Sequence, residues 1–191
     1  LAAAGNDYAH PDYPLLVPQV FSWVSLITGE WSEASLGLLY PMVGLAAILL
    51  VRSSLRHETS SAVLTSIGSL ILLPLTLSPW IGLAEGPLVA YGSGALVLFH
   101  RGLAGYTGSM RAGAVLLGLA ASVKNEGLSL AIAVAIAVVV FDSTQRWIQL
   151  RSLWPAAVIS APWIVLREIH GLQTDLTEGA AGVRLLNRLT D

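Results

Sequence analysis

Six apolar runs of 12 to 16 residues, at 36–51, 62–77, 87–100, 112–123, 128–141 and 153–166, follow one another along the chain. Each is closed by a short polar segment. Apolar runs of this kind must be buried, either in a large protein core or in lipid. Composition decides between the two. Of 191 residues 54% are hydrophobic and only 12% charged, with a mean hydropathy of +0.70, where a soluble domain carries about 25% charged residues. Charge this sparse does not coat a globular surface. The sequence therefore predicts an all-α fold: a polytopic transmembrane helix bundle of about six spans, a multi-pass integral membrane module. A net charge of −2 without a basic patch argues against a nucleic-acid partner. The absence of cysteine excludes disulfides, thiol chemistry and cysteine-ligated metal.

Residues 15–28 are apolar too, but fourteen residues of helix reach only about 21 Å, short of a hydrocarbon core of about 30 Å. They predict an interfacial helix, preceded by an outer loop over 1–14. Pro74 is expected to kink the second span near its end. Arg52, Arg56, Arg101, Arg111, Arg146 and Arg151 fall in three loops separated by even numbers of spans. The positive-inside rule assigns those loops to the cytoplasmic face. The outer face then receives the opening loop, Glu30, Glu33, Glu85, Lys124, Glu126 and an outer segment over 167–191 with Asp175. Trp23, Trp31, Trp80 and Trp163 read as an interfacial aromatic belt. The chain opens at Leu1 and stops at Asp191, just as a periodic stretch over 183–189 is under way. It is expected to be a fragment of a longer protein.

Helix length places the charges in depth. Glu85 lies 16 residues from Arg101, and Glu126 lies 16 from Asp142; each interval rises about 24 Å as helix. Lys124 lies 13 residues from Arg111, or about 20 Å. All three groups thus sit below the outer surface of a core of about 30 Å. Charges there are costly and face a water-filled, protein-lined cavity in which they pair. Two plainer readings compete: a Lys124–Glu126 or Lys124–Glu85 pair that only stitches helices together, and a locally thinned bilayer.

Residues 10–18, His10-Pro-Asp-Tyr-Pro-Leu-Leu-Val-Pro, put a His, an Asp and a Tyr into a stretch stiffened by prolines. Read alone, this is as readily a loop leading into a helix, with a surface carboxylate, as it is a site. Together with Leu83-Ala-Glu-Gly-Pro-Leu and Lys124-Asn-Glu-Gly-Leu, it resembles the GT-C membrane glycosyltransferases. The likeness is nearest to the bacterial branch related to protein O-mannosyltransferases and the aminoarabinose transferases of lipid A. It spans nearly the whole chain, on motifs that are each short. It implies a bacterial inner-membrane enzyme that moves a sugar from a polyprenyl-phosphate donor to an acceptor hydroxyl at the outer face. A first span and a principal carboxylate would precede Leu1, leaving this fragment inactive by itself. Ala84-Glu-Gly-Pro-Leu stands where the family has Ala-Asp-x-Pro-Leu, so Glu85 keeps the charge on a longer arm.

Such a transfer needs a carboxylate to take the acceptor proton and a cation to hold the leaving phosphate. Asp12 and Glu85 are the candidate catalytic carboxylates. Lys124 is the phosphate partner, with His10, Tyr13 and Glu126 as further substrate-binding candidates. His10 reads equally as a loop histidine, and no role falls to His57 or His100. No cofactor is required, although carboxylates gathered on one face also suit a divalent ion. The partners implied are the lipid-linked sugar donor and membrane lipid. The rival readings are a transporter or channel fragment with an intramembrane charged path, and a non-catalytic scaffold. No internal repeat of the kind transporters carry is visible in the sequence.

Overall fold

A computed structural model describes residues 14–32, 34, 37–74, 84–141 and 146–170. Every regular element among them is a helix: α1 (Leu16–Thr28), α2 (Leu39–Glu58), α3 (Ala62–Ile71), α4 (Glu85–Leu103), α5 (Thr107–Val123), α6 (Asn125–Phe141), α7 (Arg146–Ser152) and α8 (Trp154–His170). These segments are rich in Ala, Leu and other helix formers. The breaks between them follow local chemistry. Gly29 ends α1 in the left-handed region at φ 77°, its N–H donating to Ser25 O. The Ser61 hydroxyl caps α3 by accepting from the Leu64 N–H.

Close approaches between helices give their directions. Along α4 and α5, Gly102 faces Met110, Gly113 faces Ala95, Gly94 faces Leu116, and Glu85 meets Lys124. Partners descend one helix as they climb the other, so the pair is antiparallel. Between α2 and α4, Leu50 lies against Gly94 and Glu58 reaches His100 at 3.4 Å; these two run parallel. Gly118 of α5 lies against Ala156 and Ile159 of α8, while Ser122 donates to Ile159 O, which makes α5 and α8 parallel as well. Thus α2 and α4 run one way, and α5 and α8 the other. Tyr40, Glu85, Lys124 and Glu126 are brought to one end of the bundle. Arg56, His100 and Arg101, in the last turns of α2 and α4, go to the other.

The interior is built from small residues. Ala95, Ala114, Ala120 and Ala121 are buried beside Leu117, Phe99 and Met110, whereas Leu45, Leu49, Ile67, Leu70, Ile132 and Ile136 are exposed. At Gly118 an added Cβ would stand 3.0 Å from the Ala156 Cα, so α5 and α8 touch backbone to backbone. Many of the large apolar side chains point outward.

The expected spans are found as helices with shifted bounds. The run over 36–51 becomes α2, ending at Glu58, and α4 begins at Glu85 itself. The helix foreseen over 62–77 is found as α3, which closes at Ile71; Leu73 and Pro74 are helical again after Leu72, and residues 75–77 lie outside the described residues. Among the described residues one helix, α2, is long and apolar enough by length and composition to cross a membrane. The other helices are shorter than α2, at 10 residues for α3 and 17 for α5, α6 and α8.

Candidate functional site

Three helix ends converge on Lys124. Val123 closes α5, and Asn125 opens α6. A single extended residue, Lys124 at φ −156° and ψ 151°, joins them. The sequence suggests a four-residue turn over Lys124-Asn-Glu-Gly; the structure compresses it to Lys124, and Asn125, Glu126 and Gly127 form the first turn of α6. Lys124 N–H donates to Ala120 O at 3.3 Å, and Lys124 O accepts from Gly127 N–H at 2.9 Å. Gly127 is required by proximity, because an added Cβ would overlap Ala120 O and stand 2.6 Å from Ala121 N.

The Lys124 ammonium lies 2.8 Å from Glu85 Oε1 and 3.3 Å from Glu126 Oε1. Its side chain is only 12% exposed, against 50% and 59% for the two acids. A recessed cation therefore lies beneath two open carboxylates. Helix dipoles favour the two acids, which stand in the first turns of α4 and α6, whereas Lys124 sits between the C-terminus of α5 and the N-terminus of α6, whose dipoles act on it in opposite senses. The Lys124 hydrogen bond holds the Glu85 carboxyl below the usual carboxylate range, helped by the helix-end N–H of Glu85 and opposed by its partial burial. In the same way the Glu85 bond, with a smaller contribution from Glu126, holds the Lys124 ammonium above the ordinary lysine range. Both groups are charged at neutral pH.

An apolar pocket opens beside this cluster. It is lined by Val20 and Phe21 of α1, Tyr40 and Val43 of α2, and Pro87 and Tyr91 of α4, and it also touches Val123. Phe21 stands edge-on to Tyr40, with ring centroids 5.9 Å apart at 71°. The Tyr40 hydroxyl is buried without a hydrogen-bond partner among the described residues, and the Glu85 charge acts on it.

Of the sequence-predicted residues, Glu85, Lys124 and Glu126 are brought together. His10, Asp12 and Tyr13 lie outside the described residues. Among the described residues no three His, Cys, Asp or Glu side chains are grouped as they would be around one metal ion. Tyr40, within the apolar run over 36–51, comes near Glu85 because α2 and α4 run parallel. Of the tryptophans read as an interfacial belt, Trp23 and Trp31 are exposed, Trp80 lies outside the described residues, and Trp163 is buried, at 7%. The reason is the close approach of α8 to α5 at Gly118. No protein-family model, curated protein or solved structure matches the chain.

Proposed function

We propose that the Glu85–Lys124–Glu126 cluster is the phosphate-handling part of a membrane glycosyltransferase that uses a polyprenyl-phosphate sugar. The observation that carries the proposal is the recessed ammonium between two open carboxylates, next to an apolar pocket. A ligand that joins a phosphate to a long hydrocarbon chain matches that adjacency. Lysine serves phosphate as a point charge, and exchanging a carboxylate for a phosphate leaves the buried cation paired throughout.

The same exchange accounts for the base. While Lys124 is bonded to it, Glu85 is a poor proton acceptor. Once the ammonium turns to phosphate, the carboxylate regains basicity. In the transfer, the sugar C1–O bond to phosphate breaks and a bond from C1 to the acceptor oxygen forms. The hydroxyl proton passes to a carboxylate, Glu85 or Asp12, and polyprenyl phosphate departs with its charge on Lys124.

On this reading the bundle spans the bacterial inner membrane several times, with the cluster toward the outer face. Close Gly and Ala contacts between helices and many exposed large apolar residues fit lipid, where helices associate through close packing of Gly, Ala and Ser. Exposed apolar area of this extent is uncommon on soluble monomers. The chain reconstituted in vesicles and offered radiolabelled polyprenyl-phosphate sugar tests the proposal. Saturable binding displaced by unlabelled polyprenyl phosphate supports it. Absence of binding, or displacement by neutral polyprenol alone, contradicts it.

A further inference from the structure

The end of the bundle away from Lys124 carries a surface that the proposed transfer does not use. There α4 and α6 close, α5 and α8 open, and α7 stands between α6 and α8 in the chain. The sequence reads this joint as part of a basic loop; folded as a helix, it acquires two sides. On the inner side Gln149 is buried, at 9%, and shares a cavity wall with His100 and Leu103 of α4 and Met110 of α5. On the outer side Trp147 and Ile148 are 69% and 64% exposed, and Arg151, one turn after Trp147, is exposed with them. Trp154, opening α8, and Tyr106, just before α5, are exposed as well. Arg101 stands over the Tyr106 ring, 5.4 Å from its centroid, and Arg111 is exposed near the start of α5. Charge in these parts of the sequence is one-sided. Segments 52–61, 100–111 and 142–154 hold six arginines against two acids, Glu58 and Asp142, a surplus of four positive charges. Glu58 is itself engaged by His100 at 3.4 Å.

We infer that α7 is an interfacial foot by which this end of the bundle binds the headgroups of anionic phospholipid. Trp147, Ile148 and Trp154 enter the boundary between headgroups and acyl chains, and Arg151 and Arg111 meet the phosphates. The inference rests on the membrane part of the reading above and not on its chemistry. Tryptophan joins a large apolar body to a single N–H donor, and that combination is most at home where hydrocarbon meets water. A helix with aromatic and aliphatic groups beside arginine on its outer side lies in the plane of that boundary. Arginine takes phosphate through paired N–H donors. The surplus of positive charge then decides between headgroups. A zwitterionic lipid brings no net charge to balance it, whereas an anionic lipid does, and the attraction grows with each arginine near the surface.

The chain has no cysteine, so one introduced cysteine carries a label at one place. Ile148→Cys is labelled with bimane, and so is Leu38→Cys, an exposed position at the Tyr40 end of α2. Each is placed in nanodiscs of dioleoylphosphatidylcholine and dioleoylphosphatidylglycerol. Doxyl-labelled phosphatidylglycerol or doxyl-labelled phosphatidylcholine is then added at equal mole fraction as a quencher. The Ile148 label is expected to be quenched at least twofold more strongly by the anionic lipid, and the Leu38 label equally by both. The preference at Ile148 should fall to parity when Arg111→Gln and Arg151→Gln are combined, and should shrink at high salt. Both arginines are exposed, so the variants keep the fold. Equal quenching at Ile148 by the two lipids overturns the inference, as does a preference that survives the double variant or appears equally at Leu38. An Ile148 label quenched by neither lipid overturns it too, since the face then lies off the membrane and open to a protein partner. Failure of donor binding with this preference intact strikes the proposed transfer alone, and a chain that inserts into no bilayer strikes both.

Discussion

Lys124 Nζ and Glu85 Oε1 stand 2.8 Å apart although 39 residues separate them in sequence. The contact ties the C-terminus of α5 to the N-terminus of α4, at the far end of the helical hairpin from its loop. Removing the Glu85 charge should therefore affect chemistry more than folding. Glu85 is half exposed, and ion pairs of that exposure contribute about 0–1 kcal/mol. Glu85→Gln should leave expression and thermal midpoint nearly unchanged, while the sugar transfer proposed for this site falls at least tenfold. Turnover at the unmodified rate would make Glu85 a structural residue only.

The pair also sets a pH window. Glu85 is held below its reference value of 4.5, so its contribution is present above that value and is lost as pH falls through the lower folded-state value. Lys124 is held above 10.5, so its contribution is present below 10.5 and is lost as pH rises past its folded-state value. The stability difference between the unmodified chain and Glu85→Gln should thus be flat from about pH 5 to pH 10 and vanish in stronger acid. Thermal unfolding in detergent across that range checks this. A difference that changes sign near neutrality would rule out the pairing as described.

Gly127 should tolerate no side chain. A Cβ there overlaps Ala120 O, and forced overpacking costs about 1–3 kcal/mol. Gly127→Ala should lower the thermal midpoint and widen the α5–α6 hairpin. Gly108, in the first turn of α5, has nothing within 4 Å of the corresponding position, so Gly108→Ala should be neutral or stabilising by about 0.4–1 kcal/mol. Equal effects from the two variants would refute the close approach.

Tyr40→Phe should not destabilise the fold. The hydroxyl it removes is buried without a partner among the described residues, and deleting an unsatisfied polar group relieves a desolvation cost. The ring and its edge-on contact with Phe21 remain. A midpoint lowered by several degrees would mean that the hydroxyl has a partner in the folded protein.

Much of this arrangement is legible in the sequence. The apolar runs locate most helices to within a few residues, because the interior of each run offers nothing else for the backbone to do. The gathering of Glu85, Lys124 and Glu126 follows from counting residues back to Arg101, Arg111 and Asp142, since helical rise converts sequence distance into depth. What depends on lateral packing is not legible. Trp163 reads as a belt residue because its neighbours are apolar and the span is near its end; its burial comes from Gly118, 45 positions away. The four-residue turn at Lys124 shortens to one because Gly127 lets α6 start directly against α5, and spacing alone does not reveal such a contact.

In the proposed function the Lys124 ammonium exchanges carboxylate for lipid phosphate. Donor binding to the chain in vesicles, compared with Lys124→Met, tests it most directly. Methionine keeps the length and apolar stem and removes the charge, and the loss of one charge-assisted contact, about 1.5–3 kcal/mol, corresponds to roughly 10- to 150-fold in affinity. The account predicts a weakening of at least tenfold for polyprenyl-phosphate sugar with helical content unchanged. Equal donor affinity in the two folded proteins would contradict it and leave Lys124 as a stitch between helix ends.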